Sequence, residues 1–237
     1  MSLPLAPFLV TARIALGATM LVVLVGLPLA RLLSRAGRRG ARWVPTIETL
    51  LLLPLVLPPT TLGYFLLVLL GRRSPVGELA FRLGMPLVFS VPGAVIAAAI
   101  AALPLFLQPA LVAFDAVDPA VEQAARLLGA PERFVFFRIA LPLAARGVVA
   151  GTVLAFARAV GDFGTTLMVA GAIPGRTETV AIAIYEAVQA GEDRSALLLA
   201  LSVSLFSLSA LAAARLSLRG GRSRIFRSNR TNAQAPS

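Results

Sequence analysis

Hydrophobic and polar positions follow one another in long blocks along this chain. Five apolar blocks, at about 12–33, 47–70, 87–107, 144–172 and 196–216, are separated by polar or basic connectors. Blocks of ~20 residues are long enough for an α-helix to cross a hydrocarbon core of ~30 Å. No stretch shows the period-two alternation of a half-buried strand. The pattern predicts an all-α integral membrane protein with about five transmembrane helices and no separate soluble domain. The first block is too long, and Arg13 too weak a basic flank, for a signal peptide. The segment 219–237 is basic, then polar, and is expected to be a disordered tail.

The longest polar connector, 115–142, reads DAVDPAVEQAARLLGAPERFVFFRIALP and predicts two short helices joined at a sharp turn. Asp118 is a suitable N-cap, with Pro119 at the first helical position, where its missing N–H costs nothing. Glu122 and Arg126 are four apart, in the favourable order for an ion pair. Gly129 supplies a left-handed residue to end the first helix. Pro131 can open a second, with Phe134, Phe137 and Leu141 on its apolar side. Such a pair, protruding between membrane spans, is a handle for another protein.

Two spans carry breaks. In 47–70 the run LPLVLPPTTLGYFLL places Pro58 and Pro59 together, followed by Thr60 and Thr61. Adjacent prolines free carbonyls that lipid cannot satisfy, so the break must face protein or a wet cavity. It is either a pathway-lining gate or a kinked packing helix. In 144–172 the run FARAVGDFGTT places Arg158 and Asp162 four apart, with Thr165 and Thr166 close to the same stripe and Gly161 and Gly164 beside the acid. Two readings stay open: Arg158 and freed N–H groups attend a passing anion, or Arg158 and Asp162 neutralise each other for packing or gating. Gly147, Gly151, Ala155 and Ala159 recur every fourth position and permit close helix approach.

Charge and composition narrow the class. Of 237 residues 58% are hydrophobic and 14% charged, with a mean hydropathy of +0.86. There is no Cys or His, which excludes disulfides, thiolate or imidazole metal sites and a Ser-His-Asp triad. All 22 basic residues are Arg, so no P-loop with its lysine exists and any ATP-driven step needs another subunit. The net charge of +11 reflects arginines beside apolar spans, and no nucleic-acid partner is expected. Placing the 31–42 connector, the 115–142 connector and the tail inside gives fifteen arginines inside against six outside. This bias predicts the N-terminus outside, the C-terminus inside and the 115–142 connector in the cytoplasm.

Gln123-Ala124-Ala125, Gly129, Ile139, Leu141 and Pro142 resemble the EAA loop of ABC-importer permeases at every spacing, with Gln123 where that pattern has Glu and Glu122 just before it. The resemblance implies one permease transmembrane domain over 1–218, whose cytoplasmic coupling helix docks into an ABC ATPase subunit. The segments FARAVGDFGTTLMVAGAIPGRTET and LPLVLPPTTLGYFLLVLLGRRSPVG further resemble the permease subunits of molybdate importers, with Asp162 where their GEFG segment has Glu. That likeness implies a homodimer in the bacterial inner membrane. Two cytoplasmic ATPase subunits would carry ATP and Mg, a periplasmic binding protein would deliver the oxyanion, and this chain would bind no cofactor of its own. Tungstate, sulfate and thiosulfate are the alternative substrates within the class. A self-contained channel or secondary transporter predicts a selectivity ring or repeats, and neither is visible. A membrane enzyme predicts a catalytic cluster, which is also missing.

Overall fold

The computed structural model describes residues 5–219, and every regular element among them is helical. In chain order these are α1 (Leu5–Arg38), α2 (Val44–Val56), α3 (Pro59–Leu70), α4 (Pro75–Arg82), α5 (Val91–Asp115), α6 (Pro119–Leu127), α7 (Glu132–Val160), α8 (Gly164–Ala170), α9 (Val180–Gln189) and α10 (Asp193–Arg219). Helices α1, α5 and α7 are each long and apolar enough to cross a membrane, and α2 with α3 makes a bent pair of sufficient length. The fifth apolar block lies in α10, which has 27 residues. The expected tail, apart from Arg219, lies outside the described residues.

The core is a three-helix seam of α1, α5 and α7. Ile14, Ala18, Val22 and Leu33 of α1 meet Ala98, Ala102, Phe106 and Phe114 of α5 and Ala144, Ala155 and Ala159 of α7. Small residues let these backbones approach, as the four-residue spacing predicts. A Cβ on Gly151 would lie 2.6 Å from the Phe106 carbonyl oxygen, and one on Gly26 would lie 2.7 Å from the Phe106 ring. Phe106 is thus clamped between α1 and α7. Helix α1 has 34 residues. At 1.5 Å per residue it is about 51 Å long, more than a hydrocarbon core needs. Its last turns therefore reach past the apolar seam, and they carry Arg31, Arg35 and Arg38.

The second span is not a kinked rod. Helices α2 and α3 are bent by 110° at Pro58. Leu57 and Pro58 are extended, as residues preceding proline prefer, and Pro59 opens α3. Helix α3 then packs on α8, where a Cβ on Gly63 would lie 2.7 Å from Met168 Cβ.

Other boundaries also differ from those expected. The third expected span is α5, which starts at Val91 rather than near 87 because Ser90 caps it, accepting from Gly93 N at 3.3 Å, and which continues to Asp115. The expected second short helix of the connector is instead the root of α7. Pro142 offers no N–H to the Arg138 carbonyl and would crowd it, so the chain widens into a π-helical stretch over Val135–Ala140, and Leu141 N donates to Phe136 O. The fourth span stops at Val160 and resumes as the seven-residue α8. The connector after the fourth span forms α9, capped by Thr179, with Val180, Ile182 and Ala183 buried.

Candidate functional site

Helix α6 is built as read from its residues. Asp118 Oδ1 accepts from Ala120 N at 2.8 Å and Pro119 sits in the first turn. Gly129 has φ +82°, while Ala130 N donates to Ala125 O at 3.1 Å and Gly129 N to Arg126 O at 2.9 Å. This is the Schellman arrangement, in which a glycine lets the chain reverse and satisfies the last carbonyls. The outer face of α6 is open: Gln123 and Ala124 are exposed, and Leu127 and Leu128 are each 88% exposed. Ala125 is half-buried. Ile139 and Leu141 are half-buried and Pro142 exposed, all at the π-helical stretch. The second half of the motif thus shapes the root of α7, while the first half presents a surface.

Glu122 points the other way, and it is the only buried side chain of α6. Arg31 Nη1 and Nη2 donate to its two oxygens at 2.9 and 2.6 Å. Arg126 Nη2 adds a contact at 2.8 Å and Arg38 Nη2 one at 3.3 Å. Arg38 also donates to the Val117 carbonyl at 3.0 Å, and the Arg31 guanidinium lies 5.7 Å from the centre of the Phe114 ring. A second carboxylate extends the cluster. Glu132 binds Arg35 at 2.8 and 2.9 Å and Arg126 at 2.8 Å. Burial opposes the charge on Glu122 and is the largest single influence. Hydrogen bonding and charge from Arg31, with Arg126 and Arg38, together outweigh it and hold the carboxyl at about 2 against the usual 4.5. Glu132 is lowered as well, chiefly by the hydrogen bond from Arg35.

Sequence reasoning did not assign Arg31, Arg35, Arg38 or Glu132 to this site. A signal existed in the spacing 31, 35, 38, which puts three guanidinium groups on one face at the end of an apolar helix.

The two helix breaks meet inside one chain. Thr165 Oγ1 donates to the Pro59 carbonyl at 3.4 Å, and a Cβ on Gly164 would lie 3.0 Å from Pro59 Cβ. The contact ties the first turn of α3 to the first turn of α8. Arg158 Nη1 donates to Asp162 Oδ1 at 2.9 Å. The other Asp162 oxygen accepts from Thr166 N at 2.9 Å and Thr166 Oγ1 at 2.6 Å, so the buried carboxylate caps α8. Thr165 and Thr166 are buried and bind the break together, whereas Pro58, Pro59 and Thr60 are exposed and Thr61 is half-buried. The Arg158 side chain remains 24% exposed.

The family described as binding-protein-dependent transport system inner membrane component matches residues 22–220. The molybdenum transport system permease protein ModB of Escherichia coli K12 is 45% identical over 168 residues, covering 70% of this chain and 73% of that protein. The protein of the same name from Azotobacter vinelandii is 39% identical over 204 residues, covering 86% and 89%. That of Haemophilus influenzae is 41% identical over 170 residues, covering 70% and 74%. With the family matching most of the chain, and with membrane-length helices bearing an exposed loop helix, this chain belongs to the inner-membrane permease components of binding-protein-dependent ABC importers.

Proposed function

We propose that this chain is the permease of a molybdate importer, working as a homodimer with two cytoplasmic ATPase subunits and a periplasmic binding protein. One observation carries the substrate: relatives named as molybdenum permeases are 39–45% identical over most of its length. ATP and Mg belong to the ATPase subunits in this reading, and the exposed face of α6, with Gln123, Ala124, Leu127 and Leu128, is the surface that docks them. The pathway runs past the paired breaks, where Pro58, Pro59, Thr60 and Thr61 present open backbone and hydroxyl groups and Arg158 keeps part of its guanidinium exposed. Thr165, Thr166 and Asp162 support that wall from behind. Dispersed polar contacts suit a dianion that must leave as readily as it enters.

The reading is tested in proteoliposomes holding the permease, its ATPase and its binding protein. Labelled molybdate should accumulate only with ATP, should compete with tungstate, and should resist excess sulfate. Uptake of sulfate in preference to molybdate would move the chain to the sulfate branch of the class. In the same preparation Thr60→Cys, in a chain without native cysteine, should form a cross-link between copies. Modification of single chains only would refute a pathway at a dimer axis.

The charge bias gives the orientation we propose, with α6 in the cytoplasm. The ion pairs joining the end of α1 to α6 support it, because they put the 31–42 connector and the 115–142 connector at the same end of the molecule. A periplasm-active reporter should function when fused at Gly175 and stay silent when fused at Arg222. The reverse result would invert the placement.

A further inference from the structure

We propose that Arg31 and Glu122 form a mechanical joint that fuses α6 to the end of α1, so that movement of α6 is delivered into the membrane domain through α1. This rests on the coupling role proposed above for α6. Both residues act by positioning and neither touches substrate.

Attachment of α6 is the first reason. A nine-residue helix would ordinarily be held to its domain by apolar burial, yet Glu122 is its only buried side chain and Leu127 and Leu128 point away from the protein. The ionic cluster is what holds the helix in place. Geometry is the second. Two parallel bonds at 2.6 and 2.9 Å fix both distance and orientation, so the pair resists sliding and rotation, which a single contact would not. Connectivity is the third. Arg31 is 91 residues from Glu122 in sequence and stands on a helix packed along α5 and α7 through the whole core. The covalent route between α6 and the spans is poorer, because it passes through the turn at Ala116–Asp118 on one side and the left-handed Gly129 on the other. Stability alone does not call for this arrangement: well-packed apolar residues of similar volume commonly serve as well as a buried ion pair or better. What the ion pair adds is a fixed direction.

The cluster also explains the division of labour on α6. Positions 122 and 126 lie one turn apart and face inward to the arginines and Glu132. Positions 123, 124, 127 and 128 face outward. Force received on one face is thus passed on by the other.

The test uses the complete complex in proteoliposomes. Arg31→Lys keeps the positive charge and removes the two-pronged geometry. Three quantities are measured: ATPase retained on the purified permease, binding-protein-stimulated ATP hydrolysis, and molybdate taken up per ATP hydrolysed. The joint predicts unchanged retention with uptake per ATP reduced at least fivefold. Uptake per ATP equal to that of the unaltered protein would overturn the joint. Loss of the ATPase from the Arg31→Lys complex would also overturn it, by making Arg31 a docking residue. An unaltered permease that retains no ATPase would instead overturn the docking of α6 itself. Should Arg31→Lys fail to reach the membrane, Glu122→Asp takes its place, because it keeps the charge and shortens its reach to Arg31. It should lower uptake per ATP in the same way, and no change there would likewise overturn the joint.

Discussion

Glu122→Gln should lower the unfolding midpoint of the purified permease by roughly 10 °C, the largest effect expected from any single change in the connector. Removing one partner of a buried ion pair typically costs ~3–5 kcal/mol, because the other charge stays buried and unpaired. Here that charge is Arg31, whose side chain is 8% exposed. In a chain of this size each kcal/mol corresponds to about 2–4 °C. The glutamine keeps the shape and one acceptor, so the loss reports charge rather than volume. A matched Arg126→Gln, which leaves the Arg31 pair in place and acts on a more exposed group, should cost much less. Equal losses from the two variants would show that the cluster has no centre.

The same residue gives a pH signature. A carboxyl held at about 2 in the folded chain and near 4.5 when free is depressed by folding. It therefore contributes stability that is fully present above about 4.5 and is lost as pH falls through 2. The difference corresponds to roughly 3 kcal/mol, in line with the mutational expectation. Melting curves of the unaltered protein and of Glu122→Gln should run parallel at neutral pH and converge between pH 4.5 and 2. A constant gap down to pH 2 would contradict the depressed carboxyl.

The sequence made different parts of this molecule legible to different degrees, for physical reasons. Long apolar blocks reveal membrane helices because spanning length is a local property. Asp118, Pro119 and Gly129 reveal the start and end of α6 because capping is also local. Glu122 was legible only as a partner for Arg126, since spacing encodes contacts within one helix and says nothing of an arginine 91 positions away. Pro142 read as a plausible boundary between helices, because a π-helical stretch that carries the chain past a proline leaves no mark in hydrophobic spacing. Thr165 and Thr166 read only as polar neighbours of the Arg158–Asp162 stripe, because spacing does not say which groups their hydroxyls bond. Their partners turn out to be the Pro59 carbonyl and Asp162, and the burial that follows depends on how the two breaks interlock. The breaks themselves were evident from Pro58-Pro59 and Gly161–Gly164. That they lie against each other within one chain was not.

Asp162→Ala should dismantle that interlock. The carboxylate is wholly buried and serves three groups at once: Arg158, Thr166 N and Thr166 Oγ1. Alanine leaves the α8 amide without its cap and the threonine hydroxyl without its acceptor, and each such buried loss costs ~1–3 kcal/mol. Arg158 is partly exposed and can turn outward, so its share is smaller. The summed expectation is about 3–5 kcal/mol, with α8 loosened and the Thr165 contact to Pro59 weakened. Asp162→Asn provides the control, because its carbonyl can still accept from Thr166 while the charge and the acceptor facing Arg158 are lost. The asparagine variant should therefore retain most of the stability while changing transport in proportion to the role of the Arg158 charge. If charge balance is what matters, Asn frees the arginine to hold the dianion, giving tighter apparent binding and slower uptake. If Arg158 never meets the anion, Asn should transport as the unaltered protein does. Measured together, the melting midpoints and uptake rates of Asp162→Ala and Asp162→Asn separate the structural cap from the electrostatic role. Equal destabilisation by both would show that the charge, and not the cap, holds the break together.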